Sequence, residues 1–306
     1  MEHKKILLIV GGFSNEREVS LNAGRDIAQA LAKSGYEVIT HDLTDCWKLL
    51  DVIKKEKPDV VFNGLYGNWG EDGTIQGLLD CLQIPYTHSG LCASAVGMNK
   101  YFTKLVAQKC GIKIAKDEKI TYGEFKQQGS KIKFPYVIKP VADGSSCGVF
   151  IVKNAQDEAK IHYEGDTEEL LIEEYIEGQE LTAMCLEGKA YVVTELRAKA
   201  DFYDYKAKYT GGMTEHILPA EIPGEVKNTC LEYAVKLHNA LGCNTVSRCD
   251  FRYNKKDGVV LLEINTNPGM TSLSLVPEQV KYALGMDYVQ LCDLLVRNAK
   301  CRKLKN

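Results

Sequence analysis

Apolar positions along this chain fall into short runs separated by turn residues, and their spacing changes about a third of the way in. Lys5–Val10 is a nearly unbroken aliphatic run, as expected of a strand covered on both faces. Ser20–Lys33 repeats at helical spacing, with Gly24, Ile27, Ala28 and Leu31 on the inner face and Ser20 placed as its cap. Tyr36–Thr40 and Asp59–Leu65 read as further strands. Thr74–Leu82, after a glycine-rich loop, reads as a helix. Strands alternating with helices predict an open α/β layer with mostly parallel strands.

Around Lys100 the texture shifts. Asn99–Lys109 has helical spacing after a loop and a small-residue stretch, and strands dominate from there. Phe134–Lys139 and Gly148–Val152 flank a glycine–serine loop, and Leu170–Glu174 and Leu181–Leu186 are parted by the turn Glu177-Gly178. From Val192 onward, strands mix with a long polar loop, a helix over Glu225–Leu241, a hairpin and a C-terminal helix. Boundaries placed near residues 97 and 185 divide the chain into units 1–97, 98–185 and 186–306.

The hairpin carries the most chemistry. Lys255-Lys256-Asp257-Gly258 is a turn signal between two alternating runs. With those four residues as the loop, Asn254 faces Val259, Asp250 faces Glu263 and Arg248 faces Asn265. Cys249, Phe251, Leu262 and Ile264 then point into a core. Two carboxylates directly opposite repel. A hard cation between them, Mg²⁺ or Mn²⁺ with oxygen ligands Asp250, Glu263 and the Asn265 amide, removes the conflict. A solvent-facing polar side of an antiparallel sheet explains the same spacing. The Gly/Pro turn Thr266-Asn267-Pro268-Gly269-Met270-Thr271, beside Asn265, favours the site.

Composition narrows the field. The 306 residues are 45% hydrophobic and 26% charged with net charge −3, and no long basic block supports a nucleic-acid partner. The N-terminal apolar run is too short for a signal peptide or a membrane span, and no other run is long enough to cross a bilayer. The 11 cysteines are scattered without a C-x-x-C pair, so they read as reduced thiols. Most, such as Cys81 and Cys249, lie in apolar segments and are expected to be buried. No P-loop and no G-x-G-x-x-G fingerprint is present. The loop Lys139–Gly148 has small residues that let backbone N–H groups approach a phosphate, and Lys139 offers a point charge. The aromatic, charged segment Phe202–Gly212 suits a lid. Gly11–Glu18 follows the first strand, where an open α/β layer binds ligand.

Together these segments resemble the D-alanine–D-alanine ligases of the ATP-grasp superfamily. The likeness runs from Gly11 to about Asp287. It is carried by Gly11-Gly12-x-Ser14-x-Glu16-Arg17-Glu18-Val19-Ser20, Gly70-Glu71-Asp72-Gly73, Tyr86-Thr87-x-Ser89-Gly90, Lys139-Pro140, Gly144-Ser145-Ser146-x-Gly148, Phe202-Tyr203-Asp204-Tyr205-x-Ala207-Lys208-Tyr209 and Glu263-x-Asn265-Thr266-x-Pro268-Gly269-Met270-Thr271. The resemblance implies a three-domain ATP-grasp ligase: an N-terminal open parallel α/β layer and two α+β domains clasping ATP. It implies ligation of two D-alanines through an acylphosphate for peptidoglycan synthesis, two Mg²⁺ or Mn²⁺ ions, a cytoplasmic homodimer, and no nucleic-acid or membrane partner.

The resemblance also assigns residues. Lys100, Lys139 and Lys208 look like the phosphate-neutralising lysines, and Ser145 and Ser146 belong to the phosphate loop. Glu173 and Glu180 match positions that hold the adenine amino group and the ribose hydroxyls. Asp250, Glu263 and Asn265 match the metal ligands. Glu16 matches the anchor for the first alanine's ammonium, and Ser145 and Tyr209 link it to the lid. Arg248 and the Gly269 backbone match the oxyanion site. Ser274 and Leu275 match the receptor for the second alanine's carboxylate. Tyr66 departs from the pattern, standing near the substrates where most members carry histidine. Val141-Ala142-Asp143 replaces a common Ser-Arg-Glu, and Leu273 stands where polar residues are frequent. These departures leave open a ligase for another D-amino acid, with a non-catalytic ATP-binding homologue as the further alternative.

Overall fold

The computed structural model describes residues 4–144, 147–198, 214–271 and 274–303. The first strand, β1 (Lys5–Gly11), is fully sequestered from Ile6 to Ile9, as its aliphatic run requires. It pairs in parallel with β2 (Glu37–Leu43) and β3 (Val60–Asn63), giving the order β2-β1-β3. Helices α1 (Arg17–Lys33), α2 (Cys46–Glu56) and α3 (Thr74–Cys81) connect and cover these strands. The predicted open parallel layer is present.

Helix α1 starts three residues earlier than its apolar spacing predicts, and Ser20 does not cap it. The Ser20 hydroxyl instead accepts from the Gly11 N–H at 2.8 Å and donates to the Gly64 carbonyl at 2.6 Å, tying the helix to the ends of β1 and β3. Glu16 therefore lies immediately before α1, at the mouth of the layer.

The small-residue stretch before Lys100 is a helix, α4 (Leu91–Met98). Asn99 breaks it with extended backbone and caps α5 (Lys100–Lys109), its side chain accepting the Phe102 N–H. A four-stranded antiparallel sheet follows, in the order β4-β7-β5-β6. It comprises β4 (Asp117–Thr121), β5 (Tyr136–Pro140), β6 (Phe150–Val152) and β7 (Glu169–Glu174), with α6 (Tyr122–Gln128) and α7 (Ala155–Glu158) between strands.

The third sheet has the order β11-β10-β8-β12-β13, with β9 paired to β8. Its strands are β8 (Gln179–Leu186), β9 (Lys189–Ala190), β10 (Thr194–Ala198), β11 (Thr214–Ile217), β12 (Val246–Asn254) and β13 (Gly258–Asn265). Helix α8 (Gly224–Leu241) packs on it. Strand β8 is hydrogen-bonded along its length to β12, so the expected division near residue 185 falls inside a strand of this sheet.

Helices α9 (Leu275–Leu284) and α10 (Tyr288–Arg297) then return to the first layer. Leu291, Leu294, Leu295 and Val296 share one apolar core with Ile6, Leu8, Ile27 and Leu31. Where one C-terminal helix was expected there are two, separated by the αL cap at Gly285. All 11 cysteines are free. Cys249 is buried, but Cys81, expected inside, is exposed because it ends α3 on the solvent side.

Candidate active site

The hairpin β12–β13 places the central polar row by a route different from the one its turn residues suggest. Its loop has three residues, Lys255–Asp257, and Asn254 pairs with Gly258 rather than Val259. The Asn254 carboxamide oxygen accepts the Lys256 and Asp257 N–H groups at 2.9 and 2.7 Å, which tightens the turn. Gly258, at φ 70°, supplies the left-handed residue that closes it. A β-bulge at Asp250/Phe251 then adds one residue, Leu262, on the opposite strand. The two one-residue differences cancel. Asp250 faces Glu263 and Arg248 faces Asn265, as the four-residue loop also predicts. Leu262 is the correction: it lines the cavity, and Leu261 occupies the core position instead.

That row forms one wall of a cleft of about 940 Å³ between the three sheets. Among the described residues assigned from sequence, Glu16, Tyr66, Lys100, Lys139, Glu173, Glu180, Arg248, Asp250, Glu263, Asn265, Gly269, Ser274 and Leu275 all line it. Ser145, Ser146, Lys208 and Tyr209, together with Leu273, lie outside the described residues.

Lys139, at the end of β5, pairs with Glu173 of β7, and Glu173 also pairs with Lys104 of α5. Burial pushes the Glu173 carboxyl up, but the two ammonium groups outweigh it and hold it down at about 2. Lys100 is buried, donates to the Asp143 carbonyl and lies 3.9 Å from Glu263. Burial lowers its pKa against the pull of Glu263. Glu180 forms a 2.9 Å ion pair with Arg252. Above this polar floor Ala115, Val137, Ile151, Ile176 and Leu262 make an apolar face. An apolar surface beside clustered ammonium groups can receive a flat ring that carries an anionic group.

Glu16 is buried at the other end. A Cβ on Gly67 would meet its carboxylate at 2.9 Å and one on Gly144 at 2.7 Å, so two glycines let the loop after β3 and the glycine–serine loop close on the same oxygen. Glu71 is buried nearby, its pKa raised well above normal by burial first and by the charge of Glu16 second. The glycine-flanked motif containing Glu71 is visible in the sequence, but its approach to Glu16 is not.

Arg248 grips Asp250 through two bonds of 2.9 and 2.8 Å, and Thr182 donates to the same carboxylate at 2.7 Å. The Asn265 carboxamide oxygen accepts the Asn267 N–H at 2.8 Å. Two carboxylates and an amide on one face form an oxygen-donor set suited to a hard divalent cation. Among the described residues no three His, Cys, Asp or Glu side chains are grouped as metal ligands, so the amide is needed to complete the set. Arg248 and Lys100 provide the positive charge at this face.

Gly269 lies beside Ser274: a Cβ there would meet the Ser274 hydroxyl at 3.2 Å. Ser274 precedes α9 and its hydroxyl accepts the Thr271 N–H at 3.0 Å. Ser274, Leu275 and Glu278 put the start of α9 at the cavity edge, where a helix N-terminus favours negative charge.

Comparison with known proteins decides the family. The family model for the C-terminal part of D-Ala–D-Ala ligases matches residues 106–297, and that for the N-terminal part matches residues 48–89. The chain belongs to the D-alanine–D-alanine ligase family. A D-alanine–D-alanine ligase of Acidiphilium cryptum is 44% identical over 304 residues, covering 98% of this chain and 99% of the relative. One of Erythrobacter litoralis is 45% identical over 303 residues, covering 96% and 93%.

The fold matches that of the Bacillus anthracis D-alanine–D-alanine ligase complexed with ATP, with a TM-score of 0.82, 31% identity and 97% of each chain covered. It also matches the VanG D-Ala:D-Ser ligase of Enterococcus faecalis, with a TM-score of 0.78, 28% identity, and 97% of this chain and 99% of that one covered. The ATP-grasp fold implied by the motifs, with a parallel N-terminal layer, is thus the fold of these relatives. Two groups lacked any assignment in the sequence. Lys104 stands one helical turn after Lys100, and its buried role is signalled only by the facing carboxylates Asp117 and Glu173 across β4–β7. Tyr288 reaches the site through Met270, a contact with no local sequence signal.

Proposed function

We propose that this chain joins two D-alanines to D-alanyl-D-alanine at the expense of ATP, supplying the dipeptide for peptidoglycan. The observation that carries the reading is the cavity itself. It brings together a buried carboxylate (Glu16), two lysines (Lys100, Lys139), an acidic hairpin row and an arginine (Arg248).

A carboxylate is a poor electrophile at neutral pH. In the first step, an oxygen of the first D-alanine's carboxylate attacks the γ-phosphorus of ATP, ADP departs and an acylphosphate forms. The chain's part is to position the reactants and neutralise charge. Glu16 holds the substrate ammonium; Lys100 and Lys139 meet the phosphates, Lys139 leaving Glu173 to do so. Glu173 and Glu180 recognise the base and ribose. Asp250, Glu263 and Asn265 would hold Mg²⁺ or Mn²⁺, which supplies charge neutralisation at the phosphates.

In the second step, the amine of the second D-alanine, having lost a proton, attacks the acyl carbon. Arg248 and the Gly269 N–H stabilise the oxyanion, and inorganic phosphate leaves. Ser274 and Leu275 receive the second carboxylate at the start of α9. Ser145, Ser146, Lys208 and Tyr209 complete the phosphate loop and the lid in this reading. A cytoplasmic homodimer is part of the proposal. The free thiols support the reducing compartment, and the homodimer rests on the family resemblance alone.

A second reading rests on Tyr66, which replaces a family histidine at the cavity wall, and on the likeness to a D-Ala:D-Ser ligase: the second substrate is another D-amino acid. Phosphate release from ATP and Mg²⁺ with D-alanine, D-serine, D-lactate or L-alanine, with products identified by mass, separates the cases. D-alanine-dependent release with D-alanyl-D-alanine as product is expected. A mixed dipeptide formed in preference would overturn the substrate and keep the mechanism. ATP binding without turnover of any acceptor would leave a binder rather than a ligase.

A further inference from the structure

Gly269 sits in a short segment held on both sides by consecutive residues of the N-terminal layer. On one side, Asn267 donates through its side chain to the Leu65 carbonyl at 2.8 Å. On the other, the Met270 N–H donates to the Tyr66 hydroxyl oxygen at 2.9 Å. The Met270 carbonyl in turn accepts a hydrogen bond from the Tyr288 hydroxyl on α10. Met270 and Tyr66 are both buried, so the bond between them does not compete with water, while the Tyr288 bond is part-buried. Tyr66 is itself fixed from below, because the Ser14 hydroxyl donates to its backbone carbonyl at 2.6 Å.

The Met270 N–H belongs to the same peptide unit as the Gly269 carbonyl. The Gly269 N–H itself lies in the preceding unit, Pro268–Gly269; with Met270 fixed on one side and the Asn267 side chain on the other, that unit is held between two anchors, at a residue with no side chain to restrict it. We infer that Tyr66 and Tyr288 form a two-hydroxyl clamp on Met270 that aims the Gly269 N–H at the oxyanion, making them positioning residues for the second half of the reaction. The inference rests on the proposed role of Gly269. Tyr288 is the diagnostic member, because it is not among the residues lining the cavity and reaches the segment through Met270. The clamp also explains why a tyrosine is useful at position 66: its oxygen reaches Met270 from the N-terminal layer.

A misaimed oxyanion donor slows amine attack and leaves acylphosphate formation intact. The stranded acylphosphate then hydrolyses, so phosphate is released without dipeptide. The test uses Tyr66→Phe, Tyr288→Phe and the double variant. Kinetics are measured by phosphate and dipeptide together, and hydrogen–deuterium exchange is followed over residues 265–271. Each single variant is expected to lower kcat about tenfold, with KM for ATP within twofold. Phosphate per dipeptide is expected to rise from one toward about two, and exchange at Met270 to quicken about fivefold.

Unchanged exchange in both variants would show that the hydroxyls do not hold Met270 and would overturn the clamp whatever the chemistry. Faster exchange with one phosphate per dipeptide would overturn its catalytic purpose. If the unsubstituted chain forms no dipeptide, the ligase reading fails, and exchange still decides the clamp by itself.

Discussion

Glu173 is shared by two lysines with different surroundings. Lys104 is wholly enclosed and also bonds Asp117 at 3.0 Å, whereas Lys139 faces the cavity. When Lys139 turns to a phosphate, Glu173 keeps a countercharge, so nucleotide binding does not strand a buried carboxylate. Removing Lys104 has the opposite effect: Asp117 and Glu173, which face each other across β4–β7, lose the cation between them. Lys104→Met is expected to destabilise the fold by about 3–5 kcal/mol, read as a lower urea midpoint at pH 7. A change below about 1 kcal/mol would show that the two carboxylates are neutralised otherwise. The repulsion argument applied to Asp250 and Glu263 applies equally to Asp117 and Glu173. It was legible only in the hairpin, because a two-strand register can be read from a turn, while the pairing of β4 with β7 spans a long stretch of intervening chain.

At the scale of elements, the β-bulge separates two tasks within one strand. The polar row Asp250, Glu263 and Asn265 keeps its facing partners, while Leu262 is inserted as an additional apolar group on the cavity face. Such a residue contributes to binding through the area it covers. Leu262→Ala is expected to raise KM for ATP about tenfold, on the order of 1–2 kcal/mol for a half-buried leucine, with KM for D-alanine unchanged. Equal effects on both substrates would mean that the hairpin register, not the apolar face, had been disturbed. Elements with strong periodicity, such as β1, α5 and α8, were legible in the sequence. The start of α1 was displaced because Ser20 bonds the strand ends instead of its own helix. Helix α4 was hidden because its small apolar residues lie all round the helix and give no amphipathic period.

At the scale of the whole molecule, buried ionisable groups set the response to acid. His88 and His238 are enclosed, and burial lowers their pKa values to about 3 and about 4. Glu173 is held at about 2. In the unfolded chain the histidines take protons near pH 6.5 and the carboxylate near 4.5, well before the folded protein does. Below pH 4.5 all three groups therefore favour unfolding, Glu173 until pH falls through about 2 and the histidines until it falls through about 4 and 3. Between pH 5 and 3.5 stability is expected to fall by about 3–5 kcal/mol. Urea unfolding at pH 5, 4 and 3.5 checks this, and a constant midpoint would contradict it. Glu71, whose carboxyl is raised by burial and by Glu16, acts in the opposite sense above pH 4.5 and shallows the slope there.

The return of α10 to the first layer has a consequence for how the chain is made. The core of that layer joins Ile6, Leu8 and Leu31 to Leu291, Leu295 and Val296. At about 5–20 residues per second, the ribosome takes on the order of 15–60 s to deliver α10 after β1 emerges. For that interval this face of the first sheet is covered by α1 alone, and the apolar surface that later meets α10 stands open. The two antiparallel sheets, whose partners are closer in sequence, can form meanwhile. The part of the protein synthesised first is thus among the last to be finished, and its exposed face is where a nascent-chain chaperone has the longest opportunity to bind.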